Sequence, residues 1–201
     1  MSAVVFTTLL QQGAERGVVP ARTQEARDWF RDAASQMRGL TVQPGRVIQQ
    51  SSGQAQTKIS IGGMFLFQYD PKTKKDLPYY DQFPLIFPIE PAPGGFLGIN
   101  MHYLPLRQRA FLMDGLFDFA SNQRYDETTR LRLSYDLLKR TSRLRFFEPC
   151  LKRYLYNHIE SRMIRIPSDQ WDIALFLPLE RFAKANKATV WTESLKKIRK
   201  Q

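Results

Sequence analysis

The run from Gly62 to Pro105, GGMFLFQYDPKTKKDLPYYDQFPLIFPIEPAPGGFLGINMHYLP, constrains this chain more than any other stretch. It holds three apolar segments, Met64–Tyr69, Leu85–Ile89 and Phe96–Leu104, parted by polar connections rich in Pro and Gly. Segments this short, rich in Phe and Ile and bounded by Asp-Pro and Pro-Gly-Gly, suit strands better than helices. Three strands joined so closely predict an antiparallel meander, the nucleus of a small β-barrel. Barrels of this size mostly bind nucleic acid, peptides or other subunits, and the segment carries few groups suited to chemistry.

At 201 residues and 43% hydrophobic, the chain can form one core, or a core with an appended arm. No apolar run approaches the roughly 18 residues that cross a bilayer, so no membrane partner is expected. The start, MSAVVFTTLLQQGAERG, has no basic residue before its apolar stretch and no small-residue cleavage site, which argues against a secretory signal. A single cysteine, Cys150, excludes an internal disulfide framework and fits a reducing cytosol. With His102 and His158 as the only histidines, a four-ligand zinc site is not expected, and neither is any other cofactor.

Charge is the second signal. The net +11 is uneven: residues 1–50 carry +2, residues 51–120 carry zero and residues 121–201 carry +9. A neutral barrel followed by a basic helical half suggests that the second half faces a polyanion, such as double-stranded DNA, or an acidic protein surface. The plain alternative is a solubilising surface on scattered helix faces.

Residues 3–12 and 22–38 read as helical, the second with Thr23 as N-cap and Ala26, Trp29, Phe30 and Ala33 on one face. Isolated helices of that length are marginal in water, so this arm must dock on the barrel or on another chain. Residues 41–60 are polar and Gln/Ser-rich, and read as an extended linker. The chain thus divides into an N-terminal helical arm (1–40), a linker (41–60) and a barrel-plus-helices domain (61–201).

Past the meander, Pro105 opens an apolar helix over Arg107–Phe119. Asp126-Glu-Thr-Thr begins another, with acids at its positive end and Leu131, Tyr135 and Leu138 as its stripe. From Glu148-Pro149, the residues Leu151, Tyr154, Leu155, His158 and Ile159 match the i, i+3, i+4, i+7, i+8 template of an amphipathic helix. Met163–Ile166 reads as a short strand, and Trp171–Leu177 as a stronger one completing the barrel. Leu179–Ala185 reads as a short helix, and the tail from Thr189 carries Trp191, Leu195 and Ile198 beside a lysine cluster.

Candidate chemistry is sparse. His102 shares one face of its segment with Asn100 and could act as a general base, but the pattern fits a polar residue on the solvated face of a sheet. His158 falls on the apolar stripe of its expected helix, as a hydrogen-bonded core or interface residue. Cys150 follows Pro149 at an expected helix N-terminus, which lowers a thiol pKa, yet neither histidine is placed to serve it. Asp70, Asp76, Asp81 and Glu90 bracket the meander connections and could hold a magnesium ion for nuclease work, but no D-x-D, E-x-K or H-N-H pattern accompanies them, and Asp70-Pro71 and Glu90-Pro91 are explained as turn residues. The pair Gly94-Gly95 lacks the following lysine and helix of a phosphate loop. A small-barrel nuclease would have to draw on Arg107, His102 or Asp81.

Binding residues are easier to nominate. Lys72, Lys74 and Lys75 can meet phosphates while Tyr79 and Tyr80 stack on bases or fill a partner's pocket. The alternative is a solvated hairpin tip with a tyrosine covering the barrel end. The series Arg124, Arg130, Arg132, Lys139, Arg140, Arg143, Arg145, Lys152 and Arg153 forms the candidate basic surface. Trp29 and Phe30 on the arm join Tyr79 and Tyr80 as interface candidates.

These residues carry a resemblance. The stretches MFLFQYDPKTKKDLPYYDQFPLIFPIEPAPGGFLGINMHYLP, YDETTRLRLSYDLLK, FFEPCLKRYLYNHI, WDIALFLPLERF and VWTESLKKI, spanning about 62–198, resemble small virion or assembly proteins of T-even-type contractile-tailed phages. The resemblance implies a DNA end protector: a non-enzymatic virion protein of the neck and tail assembly, at the packaged DNA terminus. It also implies other virion proteins as partners, and arms of this kind suit a homo-oligomer. An architectural tail-tube or baseplate subunit, binding neighbours through its arm and basic face, is the rival. The expected fold is α+β: a small antiparallel β-barrel with three or four helices behind an N-terminal helical arm.

Overall fold

The apolar segments of the Gly62–Pro105 run form strands that are neighbours in space as well as in sequence. The computed structural model describes residues 43–51, 55–106, 126–142 and 145–199, with positions 108, 109, 112, 116 and 124. The strands are β1 (Ala55–Gln56), β2 (Met64–Leu66), β3 (Tyr80–Asp81), β4 (Leu85–Ala92), β5 (Gly95–Asn100), β6 (Leu151–Leu155), β7 (Met163–Ile166) and β8 (Phe182–Ala183). Six of them make one sheet in the order β1-β7-β2-β4-β5-β6, while β3 pairs with β8. Every pairing is antiparallel.

The meander is therefore present as β2-β4-β5. The expected barrel is not: among the described residues the sheet is open, with β1 and β6 as its edges. Both faces of this open sheet are covered. On one face Met64, Leu66, Phe87 and Ile99 pack with Val47, Leu138, Trp171 and Leu175 from helices. On the other, Phe65, Phe67, Ile86, Phe96 and Tyr154 form an aromatic cluster capped by Tyr69. Burial on both faces explains why the strands read as unbroken apolar runs rather than alternating ones.

Local chemistry sets the turns. The β4–β5 hairpin turns on Pro93 and Gly94, Gly94 holding φ 69°, a conformation that L side chains rarely adopt. A bulge leaves Ile89 unpaired between Pro88 and Glu90, next to a proline that cannot donate to the ladder.

The helices are α1 (Pro44–Gln50), α2 (Glu127–Ser142), α3 (Trp171–Phe176) and α4 (Lys187–Arg199). Helix α2 starts where expected, with Asp126 Oδ1 accepting from Thr129 N at 2.7 Å. The helix after Pro105 is seen in Leu106, Gln108, Arg109, Leu112 and Leu116, all helical. Within the stretch read as an extended linker, Pro44–Gln50 is helical, and Val47 and Ile48 enter the core.

Three expectations are overturned. Leu151–Leu155 is an edge strand, preceded by a 3-10 turn over Arg145–Cys150 and followed by another over Tyr156–His158. Over five residues the helical and extended periods both fit, and pairing with β5 decides between them. Trp171–Phe176 is a helix, not a strand. Its described side chains, Trp171, Ala174, Leu175 and Phe176, are all buried, so they do not display the alternation of buried and exposed positions that marks a helical period. Within Leu179–Ala185, Phe182–Ala183 is a strand instead of a helix. The arm of residues 1–40, with Trp29 and Phe30, lies outside the described residues.

Candidate nucleic-acid interface

Strand β6 and the connection from Tyr69 to Asp81 face each other across a cleft of about 660 Å³. All five β6 residues line one wall, including Lys152, Arg153 and Tyr154. Lys72, Tyr79 and Tyr80 line the facing side, with Tyr69, Tyr103 and Asp81 completing the cleft. Segments distant in sequence thus bring five of the nominated residues together: Lys72, Tyr79, Tyr80, Lys152 and Arg153.

The connection is held at both ends. Tyr69 N donates to Gln82 O at 3.0 Å, and Tyr69 Oη accepts from Leu155 N at 3.2 Å. Asp70 N donates to His158 O at 3.0 Å, and His158 Nδ1 lies 2.9 Å from Asp70 O. His158 is therefore a half-buried turn residue that fastens the cleft, not part of a helical stripe. At the tip, Lys184 Nζ donates to the carbonyls of Lys74, Lys75 and Leu77 at 2.6, 2.9 and 3.0 Å. Lys184 does so from a φ of 65°, a strained position for a side-chain-bearing residue. Lys74 is turned to Asp70 at 2.6 Å, an exposed pair that contributes little.

The floor is a buried polar network. Asp81 Oδ2 accepts from Asn100 Nδ2 at 3.0 Å and stands 2.7 Å from His102 Nδ1. Asn100 Nδ2 also donates to Tyr154 Oη at 3.0 Å. His102 and Asp81 have 0% and 1% of their side chains exposed. The expectation of a histidine on a solvated face is thus wrong, because a 3-10 turn over Met101–Tyr103 swings the chain inward after Asn100. Sequence distance concealed this pair, which ties β3 to the end of β5.

Below the floor, Arg109 is fully buried and reaches Glu180 at 2.5 Å. Three further donors go to the carbonyls of Leu104 (2.7 Å), Leu175 (2.8 Å) and His102 (3.4 Å). Burial alone would raise the Glu180 carboxyl, but the Arg109 charge, helped by His102, lowers it to about 2. One basic residue of the neutral half is therefore a core strut.

Lys152 is the cleft's most informative cation. Gly98 lies opposite it on β5, and its Nζ stands 4.2 Å from the centre of the Tyr103 ring. Burial lowers the pKa of this ammonium, and Lys197 adds to the effect. Among the described residues no carboxylate pairs with it. Burial and the neighbouring Glu193, whose Oε2 accepts from Tyr79 Oη at 2.8 Å, both raise the Tyr79 hydroxyl pKa. Tyr80 is half-buried, with neither a ring contact nor a hydrogen bond from its hydroxyl among the described residues.

The other nominated residues do not converge here. Arg132, Lys139 and Arg140 lie along α2, with Lys139 over the Tyr135 ring at 5.4 Å, and Arg124 is exposed ahead of it. Arg130 sits in α2 and Arg145 opens the 3-10 turn. Arg143 and Arg107 lie outside the described residues. Cys150 ends that turn instead of beginning a helix, and burial pushes its thiol up to about 12. Sequence reasoning missed Tyr69, Tyr103 and Tyr154. Their one available signal was tyrosine within otherwise apolar strand segments.

This is a mixed helix and antiparallel-sheet protein with a half-open cleft that sets cations among tyrosine rings, a combination suited to ligands carrying both rings and phosphates. The family of the phage T4 terminal DNA protecting protein matches residues 11–197, and the chain belongs to that family. No curated protein and no solved structure matches the chain.

Proposed function

We propose that the protein binds the free end of linear double-stranded DNA and shields it by occupancy, with no catalytic step of its own. The observation that carries this reading is the cleft that gathers Lys72, Lys152 and Arg153 around five tyrosines in a member of a terminal DNA protecting family. The +9 carried by residues 121–201 favours a polyanionic partner, with Lys152 and Arg153 the part of it that lines the cleft. The resemblance to small virion proteins supports a station on the phage particle, at the neck where packaged DNA ends, among other virion proteins and further copies of this chain.

The test is digestion of a blunt linear duplex by an exonuclease at increasing protein concentration, beside a nicking reaction on closed circles. Protection of the linear form alone is expected. It should weaken steeply with salt, at roughly −0.9 in log–log slope per phosphate neutralised. Unchanged digestion at low salt and saturating protein, or degradation of the DNA by the protein itself, would overturn the proposal.

A further inference from the structure

The cleft has features that a duplex-binding surface does not need. Of its five tyrosines, Tyr69, Tyr103 and Tyr154 are buried in the core and Tyr79 and Tyr80 are half-buried at the cleft, and the paired, stacked bases inside a duplex present no free faces to them. Its floor is closed by the buried Asp81–Asn100–Tyr154 network, so a strand cannot pass through at that point. Three groups stand ready for a ligand: the Tyr80 ring without an aromatic partner, Lys72 without an ion pair, and Lys152 without a carboxylate, all among the described residues.

We infer that this cleft receives one unstacked nucleotide from the end of a DNA strand, its base against Tyr80 and Tyr79 and its phosphate against Lys152 and Lys72. This deepens the DNA-end reading and rests on it. The orientation follows from charge. The Asp81 carboxylate at the floor repels a phosphate, while the cations beside the tyrosines attract one. A volume of about 660 Å³ is in the range of sites for small ligands and far too small for a duplex. Selection of ends then has a physical source. An internal base must leave two stacking neighbours and its pair, whereas a terminal base leaves one neighbour and frays readily. A cleft that takes only unstacked bases therefore discriminates ends from interior without reading sequence.

The experiment uses the full chain and duplexes carrying 5-iododeoxyuridine, which photo-cross-links to aromatic side chains, either at the terminal position or ten pairs inside. The terminal probe should give an adduct that peptide mass spectrometry maps to Tyr80 or Tyr79, and the internal probe should give none there. In parallel, affinity is measured for an open-ended duplex, the same duplex with two frayed terminal pairs, and a duplex closed by hairpins at both ends. Fraying should tighten binding and closure should weaken it, each by about tenfold. Tyr80→Ala should remove the advantage of fraying, Tyr80→Phe should keep it, and the exposed Lys72→Ala should weaken binding to open ends with folding unchanged by circular dichroism. If the protein binds no open-ended DNA, both this inference and the end-protection reading fall. If it binds open ends but Tyr80→Ala matches wild type, or adducts form equally from the internal probe or map outside the cleft, this inference falls and end protection stands.

Discussion

The Lys152 ammonium lies 4.2 Å from the centre of the Tyr103 ring, half-buried at a sheet edge, with no carboxylate bound to it among the described residues. A cation in that setting has given up much of its hydration and received only a ring quadrupole in return. Such an arrangement costs stability unless an anion completes it, which makes Lys152 the residue where folding and binding are most directly in tension.

Lys152→Met keeps the apolar stem and removes the charge. The free protein should melt at the same temperature or slightly higher, because an incompletely compensated charge is gone. Affinity for open-ended duplex should fall, and the salt slope should lose about one unit. Thermal denaturation and anisotropy titrations at several salt concentrations check both halves.

Glu180 makes stability fall in acid. Its folded-state pKa is depressed, so its contribution is complete above the unfolded carboxyl value of about 4.3. That contribution is lost as pH drops from there towards the folded value of about 2. Urea unfolding at pH 7, 4 and 3 should show the decline. Glu180→Gln should flatten that part of the profile, and at pH 7 should cost about 3–5 kcal/mol by leaving Arg109 buried without its partner.

Lys184→Ala removes the ammonium that collects three carbonyls of the 74–77 tip. Global stability should change by no more than about 1 kcal/mol, since lost hydrogen bonds are offset by little buried area. The tip itself should loosen. Limited trypsin digestion should cleave after Lys72, Lys74 or Lys75 several times faster than in wild type, and binding to DNA ends should weaken.

Two glycines should respond in opposite directions. A Cβ on Gly95 would come within 1.8 Å of the Tyr154 carbonyl oxygen, so Gly95→Ala must push β5 and β6 apart. Its expected cost is about 3 kcal/mol or more, with loss of the cleft wall. A Cβ on Gly45 in α1 meets nothing within 4 Å, and Gly45→Ala should stabilise by roughly 0.5–1 kcal/mol. Chemical denaturation of the two variants gives the comparison.

Cys150 should be silent. Its thiol is buried and pushed up to about 12, so the native protein should react with a disulfide reagent only as fast as it unfolds.

Much of the fold was readable where local chemistry decides. The start of α2 at Asp126, the Pro93-Gly94 turn and the three meander strands follow from acids at a helix's positive end, restricted φ values and short apolar runs between breakers. The site was readable only in part. Lys72, Tyr79 and Tyr80 stand in one polar connection and could be nominated together. Lys152 and Arg153 were nominated as part of a helical basic face, and their place on an edge strand opposite that connection depends on pairing with β5. Tyr69, Tyr103 and Tyr154 looked like ordinary strand and core residues until the chain folded back to bring them to one cleft.

The sequence alone, then, determined the meander, its turns, the start of α2, the excess of positive charge and the phage family. Each rests on neighbours along the chain or on composition. Tertiary structure decided that the sheet is open among the described residues, that Leu151–Leu155 is a strand and Trp171–Phe176 a helix, and that Arg109 and His102 are buried while Lys72 is not. The reason is physical. Short apolar segments fit either period, and total burial erases the polar face that would choose between them, so long-range pairing and desolvation make the choice.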